Sequence, residues 1–209
     1  MVEPEVAFAD SDDNMRLQED FVSYLVERAL ERCSEELQVL ERETSKLEGI
    51  RPPFPRISYT DALEVLKEKG SNTEWGTDLG ARDEAALMED RDLPLFVYNY
   101  PKGAKAFYMK ENPDDSNTVL CNDLLAPEGY GEIIGGSQRE DDLNRLMARI
   151  REEGLPEQAY AWYLDLRRYG SFPHSGFGLG LERTVAWITG RHHIREMIPF
   201  PRLMNRLYP

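Results

Sequence analysis

Apolar residues fall four apart at Leu17, Phe21, Leu25, Ala29, Cys33 and Leu37, with Val22, Val26 and Leu30 beside them. That period is one broad face of a helix, and residues 10–14 ahead of it are rich in N-cap formers. The stripe is wide enough to lie on a sheet or a core, and Cys33 reads within it as a small buried apolar residue. Upstream, residues 2–9 alternate apolar and acidic positions with a period of two and predict a strand. Pro52, Pro53 and Pro55 then break the chain. A capped helix is predicted over residues 60–68 with Gly70 as its stop, and a second near residues 82–89. Strand candidates follow at 95–100, 106–109 and 118–124; the turn-forming stretch 111–117 predicts a hairpin between the last two. Another short strand, 132–137, ends in glycines. Helical periodicity occupies 140–153 and 157–169, and a Gly-rich strand over 176–180 opens a final helix that stops at Gly190. His192 and His193 at that end read as a C-terminal cap. Strands gathered between 95 and 137 with helices around them predict an α+β fold, an antiparallel sheet flanked by helices.

A length of 209 residues suits one large domain, and an apolar fraction of 41% suffices for a core. Cys33 and Cys121 are too few for a disulfide framework or a four-cysteine zinc site. With no secretory leader at Met1 they point to a reducing cytoplasm. No run of about 18 apolar residues is present to span a membrane. The net charge of −14 excludes a sequence-independent grip on nucleic acid over the whole surface. Residues 151–209, however, hold eight Lys and Arg against six Asp and Glu, while the first 150 hold 17 against 33. A polyanion would approach the C-terminal quarter.

Two clusters carry candidate chemistry. Gly176, Gly178 and Gly180 resemble a dinucleotide fingerprint, but the third glycine is misplaced and no parallel βαβ unit surrounds them. Glycines so spaced let a strand pass close to a planar ligand or a neighbouring strand, and the helix that follows presents N–H groups to an anion. Arg183, in its first turn, either joins such an anion or is a surface arginine paired with Glu182 or another carboxylate. The second cluster is Asp123, Glu132 and Arg139. Asp123 closes one strand and Glu132 opens the next, so the two carboxylates can face each other. Mg²⁺ bridging phosphate oxygens would reconcile them. The planar fork of Arg139 suits a carboxylate or an amide carbonyl. The alternative is a surface carboxylate pair with a solvated arginine.

Residues 123–140 (DLLAPEGYGEIIGGSQRE), 162–170 (WYLDLRRYG), 173–183 (PHSGFGLGLER) and 198–202 (IPFPR) resemble the class II aminoacyl-tRNA synthetases, most closely the asparaginyl-tRNA synthetases. Residues 173–183 are similar to motif 3 of that class, and residues 2–8 to the tail of motif 2. The resemblance spans essentially the whole chain and implies the class II catalytic fold. It implies a ligase that activates asparagine with ATP and Mg²⁺ and transfers it to tRNA(Asn), as a cytoplasmic homodimer. Arg183 would hold the γ-phosphate and stack near the adenine, with Gly178 and Gly180 as the floor under the adenosine. Asp123 and Glu132 would hold Mg²⁺ against the phosphates. Arg139 would take the substrate's side-chain carbonyl, Glu3 its α-ammonium, and His174 would line the amino-acid pocket. The family's anticodon-binding barrel, its dimer-forming motif 1 and the arginine of motif 2 have no counterpart here. Residues 1–209 are therefore expected to be the C-terminal portion of a catalytic domain, with little adenylation activity alone. Two other readings stay open: a paralogue that makes free asparagine by ammonia-dependent amidation of aspartyl-adenylate, and a non-catalytic remnant that binds nucleotide or protein.

Overall fold

Six short strands line up in one sheet in the computed structural model, which describes residues 1–208. They are β1 (Glu5–Ala7), β2 (Arg56–Ser58), β3 (Leu95–Tyr98), β4 (Cys121–Ala126), β5 (Gly131–Gln138) and β6 (His174–Leu179). Their order across the sheet is β1-β6-β5-β4-β3-β2. Every neighbouring pair is antiparallel except β2 and β3, which run parallel. With helices on both faces this is the expected α+β architecture.

Alternation along the strands divides the core in two. On one face, α1 (Ser11–Arg32) and α3 (Ser45–Glu48) set Val22, Val26 and Leu47 against Phe96, Leu124, Ile134 and Phe177. Trp187 of α8 (Leu181–Thr189) joins that layer. Asp10 starts α1 with a reciprocal capping box to Asp13. On the other face, α4 (Tyr59–Glu68) and α5 (Ala81–Met88) pack Tyr59, Leu66, Leu87 and Met88 onto Leu95, Val97, Cys121 and Leu125. Their apolar packing stops at β4, and α5 reaches β5 only near Glu132, so the rest of β5 with β6 and β1 is left open on this face. A third cluster joins α6 (Leu143–Glu152) and α7 (Ala161–Arg168) through Leu146, Ile150 and Leu164.

Several expectations are corrected. The first helix does not run through Cys33: the backbone leaves helical geometry there (φ −121°, ψ 26°) before α2 (Ser34–Val39) begins, and Cys33 is exposed. Residues 106–109 form no strand, and only Met109 bridges Arg139. Phe107 instead packs against Tyr160 and Tyr163 in the α6–α7 cluster, so aromatic burial draws this segment off the sheet. The expected hairpin is thereby reduced to a bridge between Glu111 and Val119. Asp142 caps α6, which therefore starts at Leu143, and residues 157–160 are a 3₁₀ turn leading into α7. Left-handed Gly190, not a histidine, terminates α8. His192 stacks on Tyr130 with centroids 5.5 Å apart, and the His193 ring accepts from the Arg195 N–H. Among the described residues no helix is long and apolar enough to cross a membrane.

Candidate active site

Strand register lays a floor of glycines. Asp123 pairs across to Gly135, and Gly135 to Gly178, so these three positions share one face. It is the face that α4 and α5 leave partly open. The next row, Asn122–Gly136–Phe177, points the opposite way. There Gln18 and Asn14 of α1 fill the space over Gly136, where a β-carbon would meet their amide nitrogens at 2.7 and 3.0 Å. Gln18 and Asn122 exchange amide hydrogen bonds of 2.6 and 3.2 Å, and Asn14 donates to the Gly176 carbonyl at 3.1 Å. A buried polar seam therefore fixes the central strands from behind.

An acidic wall rises at one end of the floor. The register slips between Leu124 and Leu125, with Ile133 as the extra residue on β5. This bulge turns Glu132 to the same face as Asp123. A β-carbon at Gly135 would lie 2.7 Å from Glu132 Oε1 and 3.7 Å from Asp123 Oδ1, so both carboxylates overhang this glycine. Burial, reinforced by the nearby Asp123 charge, pushes the Glu132 carboxyl up to about 7. Burial also raises Asp123, while Lys105 opposes that rise. Lys105 Nζ lies 2.8 Å from Asp123 Oδ2, 3.1 Å from Asp78 Oδ1, and 4.0 Å above the ring of Tyr100. Burial works against its charge, yet Asp123 and Asp78 together hold the ammonium above the ordinary lysine range.

The Glu132 peptide is gripped at both ends. Glu84 of α5 accepts its N–H at 3.1 Å, and Arg183 of α8 donates to its carbonyl. Arg183 is thus turned onto β5 and makes no ion pair with Glu182 among the described residues. Burial raises the Glu84 carboxyl, and the Arg183 charge works against that rise.

The other end of the floor is built around Arg139, just beyond β5. Glu5 of β1 leans its carboxylate over Gly176, into the space a side chain there would need. Arg139 donates to it from Nη2 at 2.6 Å and from Nε at 3.1 Å. The guanidinium also donates to Ser137 Oγ and lies 5.2 Å from the Tyr108 ring centre. Glu3 borders the floor, its Cγ 3.9 Å from where a β-carbon of Gly178 would be. His174 is brought beside Arg139 through its carbonyl, which accepts the Arg139 N–H at 2.9 Å. Its ring faces Arg167 at 3.5 Å and the Phe172 carbonyl at 2.9 Å.

Asp123, Glu132, Gly178, Arg139, Glu3 and His174 thus share one face, and Gly180 and Arg183 stand at its edge, where β6 passes into α8. Glu5, Asp78, Glu84 and Lys105 are additions. Glu5 carried a signal, since it stands two residues from Glu3 in an alternating strand and so shares its face. Asp78, Glu84 and Lys105 come from loops and a helix 18 to 48 residues away from their partners, with no motif to flag them. Among the described residues, no cluster of three or more His, Cys, Asp or Glu could hold a metal ion by itself. Asp123 and Glu132 supply two adjacent carboxylates, which fits Mg²⁺ when substrate phosphates complete its shell.

The sequence pattern of the family described as tRNA synthetases class II (D, K and N) matches residues 1–204. The asparaginyl-tRNA synthetase from Pyrococcus horikoshii is 56% identical with a TM-score of 0.95, over 99% of this chain and 49% of that one. Its structure complexed with asparaginyl-adenylate gives a TM-score of 0.96 at the same identity, over 99% of this chain and 48% of that one. The Entamoeba histolytica asparaginyl-tRNA synthetase in complex with asparaginyl-adenylate is 32% identical with a TM-score of 0.88, over 99% and 48%. The chain spans about half the length of these relatives. Its pattern of residues and its sheet lead to one family, and the chain belongs to the class II tRNA synthetases of the D, K and N group.

Proposed function

We propose that this trough activates asparagine with ATP and serves its transfer to the 3′ end of tRNA(Asn). The observation that carries the reading is the glycine floor with Asp123 and Glu132 at one end and Arg139 at the other. The 56% identical relative complexed with asparaginyl-adenylate supports the choice of ligand.

A carboxylate oxygen of asparagine attacks the α-phosphorus of ATP, the bond to the bridging oxygen breaks, and pyrophosphate leaves. The terminal ribose hydroxyl of the tRNA then attacks the acyl carbon, loses its proton, and displaces AMP. The chain's task in both steps is to position charged groups and offset developing charge. Arg183 exchanges the Glu132 carbonyl for the γ-phosphate and lays its flat face near the adenine. Gly180, and Gly178 once the flexible Met1 methyl over it moves aside, let the adenosine lie on the backbone. Asp123 and Glu132 would hold Mg²⁺, which when bound supplies positive charge to the triphosphate. Arg139, steadied by Glu5, takes the side-chain carbonyl of asparagine. Glu3 receives the α-ammonium, and His174 lines the amino-acid end. A cytoplasmic homodimer belongs to the same reading, and sedimentation of the full-length protein checks the assembly.

Aminoacylation of tRNA(Asn) with labelled asparagine by the full-length protein tests this function. Charging with asparagine and not with aspartate is expected. Charging with aspartate alone, or none with either, would refute it.

A further inference from the structure

Lys105 holds the position that a counter-ion for the acidic wall would take. Four carboxylates, from Asp78, Glu84, Asp123 and Glu132, converge at this end of the trough. Lys105 enters from a loop, not from the sheet, and its side chain is only 11% exposed. One ammonium thereby serves Asp123 at 2.8 Å and Asp78 at 3.1 Å, braced by the ring face of Tyr100. It engages Asp123 Oδ2, while Oδ1 is the oxygen turned toward Gly135 and Glu132.

A divalent cation arriving alone would therefore find half of Asp123 taken and a fixed positive charge a few ångströms away. It would gain Glu132 and one oxygen of Asp123 against the repulsion of Lys105. Two carboxylates with so little further protein coordination make a poor Mg²⁺ cage. A cation arriving on a triphosphate brings its own anionic oxygens, and these also attract Lys105 and Arg183.

We propose that Lys105 is a resident counter-cation that keeps the carboxylate pair free of metal until nucleotide arrives. Metal binding is thereby made conditional on ATP. This rests on the reading of Asp123 and Glu132 as the Mg²⁺ ligands of a synthetase site.

The test is Mn²⁺ binding to the full-length protein, followed by electron paramagnetic resonance without nucleotide, with circular dichroism as the check on folding. Lys105→Met should bind free Mn²⁺ at least about tenfold more tightly than the parent, equivalent to about 1.4 kcal/mol. Lys105→Arg should bind it as weakly as the parent does. Unchanged or weaker Mn²⁺ affinity in folded Lys105→Met would overturn the proposal. The parent alone supplies a second measurement that needs no variant to fold. Its protein-bound Mn²⁺ signal should saturate at least about tenfold lower in Mn²⁺ when a non-hydrolysable ATP analogue is present. Equal binding with and without the analogue would overturn the proposal as well. Neither comparison needs amino acid or turnover. Failure of the synthetase reading itself shows separately, as parent protein without asparagine-dependent pyrophosphate exchange.

Discussion

Glu5 and Arg139 stand 134 residues apart in the chain yet meet through a forked pair, Nη2 to Oε1 at 2.6 Å and Nε to Oε1 at 3.1 Å. β1 and β6 bring them together, because Glu5 pairs across to Gly176 and Gly176 to Ser137, two residues before Arg139. The Arg139 side chain is 13% exposed, so its guanidinium is oriented by this partner more than by solvent. Glu5→Gln keeps the volume and removes the charge that aims the fork. It should raise the KM for asparagine by about tenfold, a loss of the order of one charge-assisted hydrogen bond, with kcat changed much less. Steady-state kinetics on the full-length protein checks this split. A KM for asparagine within twofold of the parent's would mean that Arg139 needs no such support.

Arg183 can be questioned by a substitution that keeps its charge. A lysine cannot offer a planar fork to a phosphate or a flat face to a base. Arg183→Lys should therefore lose most activity, by at least about 10² in kcat/KM for ATP. If Arg183 only tied α8 to the Glu132 carbonyl, lysine should serve within about threefold, under 1 kcal/mol. Kinetics with circular dichroism as a folding check separates the two.

The carboxylates over Gly135 should matter for metal use more than for stability. Asp123→Asn and Glu132→Gln each remove charge without volume. In the full-length protein both should move the Mg²⁺ midpoint of ATP use upward by about tenfold or more, with charge lost next to a divalent cation as the cause. Thermal melts of Glu132→Gln should not fall below the parent's at pH 7. Its carboxyl is held up to about 7 by burial, so losing its charge relieves desolvation. A parental Mg²⁺ midpoint in both variants would remove the metal assignment.

A pH-dependent stability effect is expected where the turn between β4 and β5 is anchored. Glu128, in left-handed backbone at φ 64°, accepts from Arg42 at 2.6 and 2.8 Å, and the Arg42 side chain is 5% exposed. The Arg42 hydrogen bond holds the Glu128 carboxyl below its ordinary value. The stabilisation is present above the unfolded-state pKa of about 4.3 and is lost as pH falls through the lower folded one. Glu128→Gln should therefore cost about 2 kcal/mol at pH 7, the scale of a lost hydrogen bond between charged groups. The cost should shrink as pH drops below about 4. Paired chemical denaturation at pH 7 and pH 3.5 checks this, and an equal cost at both would contradict it.

Asp123, Glu132 and Arg139 are legible in the sequence because they lie on or beside two consecutive strands. Local spacing and motif then suffice to bring them near each other. The glycines at 176, 178 and 180 are legible for the same reason, and so is the helix that presents Arg183. Glu84 and Lys105 are not, since each reaches the site by tertiary packing from segments whose own polar pattern reads as surface. Asn14 and Gln18 left a trace, two amides four apart near the start of an otherwise apolar stripe, that marks the polar seam under Gly136. Cys33 and residues 106–109 mislead because their periodicity is real. A helix break and the pull of the α6–α7 aromatic cluster override it.

Asparagine-dependent exchange of labelled pyrophosphate into ATP reads formation of the adenylate and needs no tRNA. Full-length protein supplied with ATP, Mg²⁺ and each amino acid in turn should exchange with asparagine and lose that exchange in Arg183→Lys. Exchange driven equally by aspartate or lysine, or none with any amino acid, would contradict the assignment of this trough to asparagine activation.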